Sequence, residues 1–290
     1  MTAARFLKIA LPVLAIPALV VLFLPARVWP TYVDIVEPLA LFIGFLLALN
    51  VASIYRKELQ NAFIFFAVFL LIYMFAIILF LSYSPTLRLY FELRLGTTET
   101  LRLVEGIQFI NYAMLFLFCL NLLKGIDVTR LNKKGWLVLI LAALFSLFVA
   151  IYPQLGTIVN NANLTMATVL AFSMRVLDAV LIIVLIPVLW LYVQYLKSRQ
   201  QQSLTFTIIV FGIVFSTLFD YLFELVITLF PALLPPESLF RSAIPETLFI
   251  YGYLIIAAGL YAHRKQDDWG YQAIDRAMAG ELSLTDVDDG

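Results

Sequence analysis

Asp220 and Glu224 stand four residues apart in FDYLFELVITLF, residues 219–230, near the end of a long apolar run. On a helix this spacing puts both carboxylates on one face, where they repel each other when ionised. Ser216 and Thr228 continue the stripe by one turn in each direction. Carboxylates held this way can ligate a hard cation through oxygen, share a proton, or bind a cationic solute. Each of these needs a compensating group from outside the segment, so the question passes to the elements around it.

Composition sets the solvent those elements face. The chain is 63% hydrophobic and only 13% charged. A typical soluble domain is roughly 25% charged. The excess apolar surface is more than a soluble core absorbs, so a bilayer is the expected solvent. The net charge of zero argues against a polyanion partner, and no nucleic-acid binding is expected. Cys119 is the sole cysteine, which rules out an intramolecular disulfide and a Cys-rich metal site. His263 is the sole histidine, which removes most His-based metal and acid/base chemistry.

The fold class is therefore all-α, a polytopic transmembrane helix bundle. Runs of about 20 apolar residues, the length that crosses a bilayer, fall near 6–24, 33–53, 61–83, 103–123, 136–152, 172–196, 204–230 and 247–263, about eight spans. The fifth is short and is expected to continue past Pro153. The first also fits a secretory signal, but FLPARVWP lacks a small-x-small cleavage site, so a retained helix is expected. Residues 1–263 form the bundle, and 264–290 a short acidic cytoplasmic tail, partly disordered and too small for a kinase, nucleotidyl or DNA-binding domain. No internal repeat divides the chain.

Basic residues orient the spans. With eight spans, Lys8, Lys57, Lys124, Lys133, Lys134, Lys197 and Lys265 all fall on one side. The other side has only Arg27, Arg88, Arg94, Arg102, Arg175 and Arg241. Both termini are then cytoplasmic, in a multi-pass protein of the cell membrane, with the lysines against anionic lipid headgroups. Between spans 3 and 4, Leu87, Leu89, Phe91, Leu93 and Leu95 alternate with mostly polar residues, a strand period. The turn GTTET followed by Leu101-Arg102-Leu103 would return it as a small outer β-hairpin. The sequon at Asn163 falls on the same outer side.

Within this frame the acids share a depth. Glu37, Glu105, Asp178, Asp220 and Glu246 lie roughly 24–27 Å from the cytoplasmic helix ends at ~1.5 Å per residue. Glu37, Glu105, Asp178 and Glu246 are expected to open helices that run inward, where an acid in the first turn complements the helix dipole. Asp220 and Glu224 have no such explanation, because their helix runs outward and its C-terminal end is negative. Arg175 is the one basic residue expected near the outer core, and an ion pair with Asp178 or Asp220 is its plain structural use. Gln108, Asn111 and Tyr112 form a polar stripe below Glu105, which in an apolar helix faces the bundle interior.

The candidate ligand-binding set is thus Asp220, Glu224, Asp178, Arg175, Glu37, Glu105, Gln108, Asn111 and Glu246, with no residue assigned as catalytic. Metal and cofactor stay undefined. Zinc hydrolysis through histidines and serine–histidine peptidase chemistry lack their residues, and no lysine lies mid-helix to hold retinal. The leading expectation is an outward-facing acidic site that binds or transports a cation or cationic small solute. A sensor or assembly subunit, and a metal-assisted enzyme acting on lipid or glycan at the outer leaflet, are the alternatives.

Overall fold

The computed structural model describes residues 28–55, 57–81, 92–94, 96–124, 132–160, 166–196, 201–229 and 247–265. Side chains of some residues within these helices, Asp220 and Glu224 among them, lie outside the description. The expected first span, the sequon at Asn163, Glu246 and the tail beyond 265 also lie outside it.

Among the described residues the structure is helical, without strands. The long helices are α1 (Trp29–Ala52), α2 (Lys57–Ala76), α3 (Thr97–Lys124), α4 (Lys133–Asn160), α5 (Met166–Leu196), α6 (Gln201–Leu229) and α7 (247–265). Thr31–Ala52, Lys57–Leu79, Arg102–Lys124, Lys133–Tyr152 and Phe172–Leu191 are long and apolar enough to cross a membrane. The molecule is a multi-pass integral membrane protein. Helices apolar on all sides belong in a bundle core or in lipid, which is where the exposed Leu137, Ile140, Leu144 and Phe148 of α4 find their solvent.

Local chemistry sets the helix ends. Asn132 caps α4, with the Gly135 N–H donating to its Oδ1 at 2.8 Å. Trp190 Nε1 of α5 donates to the same oxygen at 3.3 Å, joining the two helices there. Pro153 does not end α4, which runs on to Asn160. Helix α2 passes at Ile77 into a π-helical stretch, Ile77–Leu81.

The hairpin expected between spans 3 and 4 requires correction. Residues 92–94 are helical, Gly96 takes a positive φ of 88°, and Leu101–Leu103 lie inside α3. Gly96 N–H donates to the Glu92 carbonyl and its own carbonyl accepts from Thr100 N–H, so it is a corner between helical segments. Glu99 in the first turn favours the helix start, and its 3.2 Å pair with Arg102 spans one turn. These local terms favour helix where the alternation pointed to strand. Residues 82–91 lie outside the description.

Helices α1, α2 and α3 pack in sequence, as do α4, α5 and α6, and α3 meets α5 between the two sets. Helix α7 closes the arrangement: Tyr253, Ile256 and Leu260 enter the main core, and Ile250 packs with Trp29 and Val33. Its seat on α6 requires glycine. A Cβ on Gly252 would stand 2.8 Å from Ser216 Cβ, and one on Gly212 would stand 3.1 Å from the Gly252 carbonyl oxygen. Small residues let two membrane helices approach to backbone contact.

Candidate ligand-binding cavity

A cavity of about 320 Å³ opens among α2, α3, α5, α6 and α7. Helical spacing builds each wall. From α3 come Gln108, Asn111, Tyr112 and Leu115, one face at intervals of three and four. Helix α5 adds Met174, Arg175, Asp178 and Leu181, and α6 adds Ile213, Ser216 and Thr217. Phe69 and Tyr73 of α2 face Phe249, Tyr253 and Ile256 of α7.

The polar part of the wall is rich in acceptors. Asp178 is buried, with 7% of its surface exposed. The Tyr112 hydroxyl donates to its Oδ1, and an Arg175 guanidinium nitrogen stands 3.6 Å from its Oδ2. That separation is an ion pair but too long for a hydrogen bond. Ser216 Oγ donates to the Gly212 carbonyl at 2.9 Å, and Thr217 Oγ1 to the Ile213 carbonyl at 3.0 Å. Both hydroxyl protons are directed back onto α6, which leaves oxygen lone pairs for a donor. Asn111 is 5% exposed, and its Oδ1 has no hydrogen-bond partner among the described residues.

The apolar part is mostly aromatic. Phe69 stacks on Tyr73 at 6.1 Å between centroids, Tyr73 tilts against Tyr253 at 5.8 Å, and Tyr253 lies 6.5 Å from Phe249. Ring faces of this kind attract cations and cover flat apolar groups.

Of the residues singled out from sequence, Gln108, Asn111, Arg175 and Asp178 share this cavity. Glu37 is buried and Glu105 half-buried, and neither lines it. Asp220 and Glu224 occupy the last part of α6, with undescribed side chains, and Glu246 lies outside the description. The expectation that these acids open their helices is corrected for three of them. Helix α1 begins at Trp29, α3 at Thr97 and α5 at Met166, which places Glu37, Glu105 and Asp178 at least two turns in. Glu99 takes the first turn of α3, and α1 and α5 have no acid there. The dipole acts within the first turn, so it does not account for these three. The helices start earlier than hydropathy implied because they extend beyond the apolar core.

Sequence reasoning missed the aromatic wall. Tyr73 and Tyr253 carry hydroxyls in otherwise apolar spans, which was the available signal. It also missed a second polar cluster at the lysine-rich end. His263 is 1% exposed there, with Thr205 Oγ1 at 2.6 Å from Nδ1 and the Tyr55 hydroxyl bonded to Nε2. Phe206 meets its ring edge-on at 4.7 Å, and Tyr55 and Phe63 stack at 5.6 and 6.3 Å. Arg264 Nε donates to Asn50 Oδ1 at 2.8 Å beside it.

Among the described residues, no group of three or more His, Cys, Asp and Glu side chains is placed to hold a metal ion. No protein-family model matches the chain, and no curated protein or solved structure shows significant similarity to it.

Proposed function

We propose that this bundle binds a small organic solute bearing a protonated amine in the cavity between α2, α3, α5, α6 and α7, and carries it across the membrane. The observation that carries the reading is Asn111, a residue of the cavity wall whose buried Oδ1 has no hydrogen-bond partner among the described residues. A buried polar group left unsatisfied costs about 1–3 kcal/mol, which a ligand donor recovers when a turn of the Asn111 side chain brings Oδ1 to it. The Asp178 carboxylate, the lone pairs of Ser216 and Thr217, and the aromatic faces all favour the same ligand chemistry. The volume lies at the low end of roughly 300–1,000 Å³ for small-molecule sites, which fits a metabolite-sized solute.

In the proposed topology eight spans are present, both termini are cytoplasmic and the membrane is the cell membrane. Asn111 then lies roughly 20 Å from the cytoplasmic end of α3 at ~1.5 Å per residue, in the outer half of the bundle. Asp220 falls four residues beyond Ser216, one turn further along α6. With Glu224 it would line the approach from outside and draw in cations. Glu37, Glu105 and Glu246 are assigned to that outer approach and not to the cavity wall.

The test is saturable binding and uptake of phenethylamine by the full chain in liposomes, compared with Asp178→Asn and Asn111→Leu. Binding and flux in the parent, lost in both variants while the proteins stay monodisperse, supports the reading. Equal flux through parent and variants would end it.

A further inference from the structure

The cavity wall carries both signs of charge. Arg175 and Asp178 stand three residues apart on α5, on the same face, with their charged atoms at 3.6 Å. Among the described lining residues they are the one formal cation and the one formal anion. A simple amine would pair with Asp178 but bring a second positive charge beside Arg175. Counted over the described lining residues, the occupied site would then hold a net charge, which lowers affinity. A simple carboxylate creates the opposite imbalance. A molecule with both groups leaves the total over the described lining residues at zero and offers a partner to each member of the pair.

The spacing defines which zwitterion. Two wall charges this close suit a ligand whose own charges stand on neighbouring atoms, as the amino and carboxylate groups of an α-amino acid do on a single carbon. Arg175 presents a planar fork of N–H donors, the geometry that matches a carboxylate. Asp178, held by Tyr112, and the Asn111 oxygen, buried and without a partner among the described residues, supply acceptors for an ammonium. What remains of the cavity is apolar and aromatic, bounded by Phe69, Tyr73, Phe249 and Tyr253, and would take the ligand's side chain.

Resting on the solute-binding reading above, we infer that the cavity is an α-amino-acid site for a ligand with an apolar or aromatic side chain. Arg175 binds the carboxylate, and Asp178 with Asn111 binds the ammonium. Arg175 is then a specificity-determining residue and not only a partner for Asp178.

The experiment compares phenylalanine, phenethylamine and 3-phenylpropionate, which share one ring and differ in charge, for binding to the full chain in nanodiscs. Phenylalanine is expected to bind at least about tenfold more tightly than either of the others, a margin of one ion pair. Arg175→Gln should erase its advantage over phenethylamine while leaving the amine bound, and Arg175→Lys should restore part of that advantage. Should Arg175→Gln fail to fold, the three-ligand ranking on the parent and Arg175→Lys decides alone. Phenethylamine binding as tightly as phenylalanine, or more tightly, overturns this inference and leaves the amine reading intact. It is the result expected if Asp220 adds a second carboxylate to the cavity. Saturable binding by none of the three overturns both.

Discussion

Among the described residues the bundle holds two buried polar clusters, one at the lysine-rich helix ends and one about midway along the helices, and they differ in how completely they are satisfied. At the lysine-rich end, both ring nitrogens of His263 have hydroxyl partners and aromatic rings pack around the imidazole. In the other, Asp178 and Arg175 stand beside a cavity, and an Asn111 oxygen is left without a partner among the described residues. A satisfied network in a low-dielectric core rigidifies it, whereas an unsatisfied group is a standing penalty that a ligand can relieve. The first cluster therefore acts as a clasp: His263 joins the turn after α1 to α6 and α7. The second has the features on which the proposed ligand site rests. A buried histidine catches the eye in a chain with only one, yet its geometry is structural, while an ordinary asparagine carries the proposed site.

The largest effect is expected at the clasp. His263→Ala removes a packed ring and its hydrogen bonds with the Tyr55 and Thr205 hydroxyls, a loss of about 3–5 kcal/mol. The temperature at which the detergent-solubilised protein loses its monodisperse peak should fall sharply. The folded fraction should bind cavity ligands with unchanged affinity. A variant as stable as the parent would dissolve the contrast between the clusters.

Next comes Tyr112→Phe, which deletes the hydrogen bond to Asp178 and keeps the ring. A bond to a charged group contributes about 1.5–3 kcal/mol, so stability and binding should both decline. Unchanged values for both would show that Asp178 is held by other groups. Gly252→Ala tests the packing behind the site, since its Cβ would lie 2.8 Å from Ser216 Cβ. Overpacking of this kind costs about 1–3 kcal/mol. Ligand affinity should fall with it, because Ser216 lines the cavity. A normal melting curve would mean that α7 shifts freely on α6.

The smallest change in stability, and the sharpest test, is Asn111→Leu. Replacing an amide whose buried oxygen has no partner among the described residues by a hydrocarbon of similar size should leave the ligand-free protein as stable or raise it by up to about 1 kcal/mol. Ligand affinity should drop at least about tenfold, the equivalent of one lost hydrogen bond. A clear loss of stability instead would assign Asn111 a structural partner and remove the observation on which the site rests.

Much of the fold was legible because membrane helices announce themselves through length and hydropathy, properties of consecutive residues. The runs from 33 to 263 each became a described helix, and helix continued past Pro153. The stripe of Gln108, Asn111 and Tyr112 pointed inward for the same reason: in an apolar helix, polar side chains turn away from lipid. Helix starts were less legible, since α1, α3 and α5 extend beyond their apolar runs. Glu37, Glu105 and Asp178 thereby moved from first-turn positions to interior ones. Before α3 the strand period gave way to helix at 92–94, and the expected return at Leu101–Leu103 lies in α3, where local helix-start chemistry at Gly96 and Glu99 competes with a short alternation.

By itself the sequence determined the solvent, the helices, and which faces carry polar groups, since these follow from residue type and a fixed helical period. Only the tertiary structure decided which of those faces meet. Shared depth grouped Glu37 and Glu105 with Asp178, but rotation about each helix axis, set by side-chain packing and by glycine contacts such as Gly212 on Gly252, admitted Asp178 to the cavity wall and not the other two. The aromatic wall from α2 and α7 and the Tyr55–His263–Thr205 clasp join residues far apart in the chain. Such pairings depend on how whole helices pack, which hydropathy and spacing along one helix do not encode.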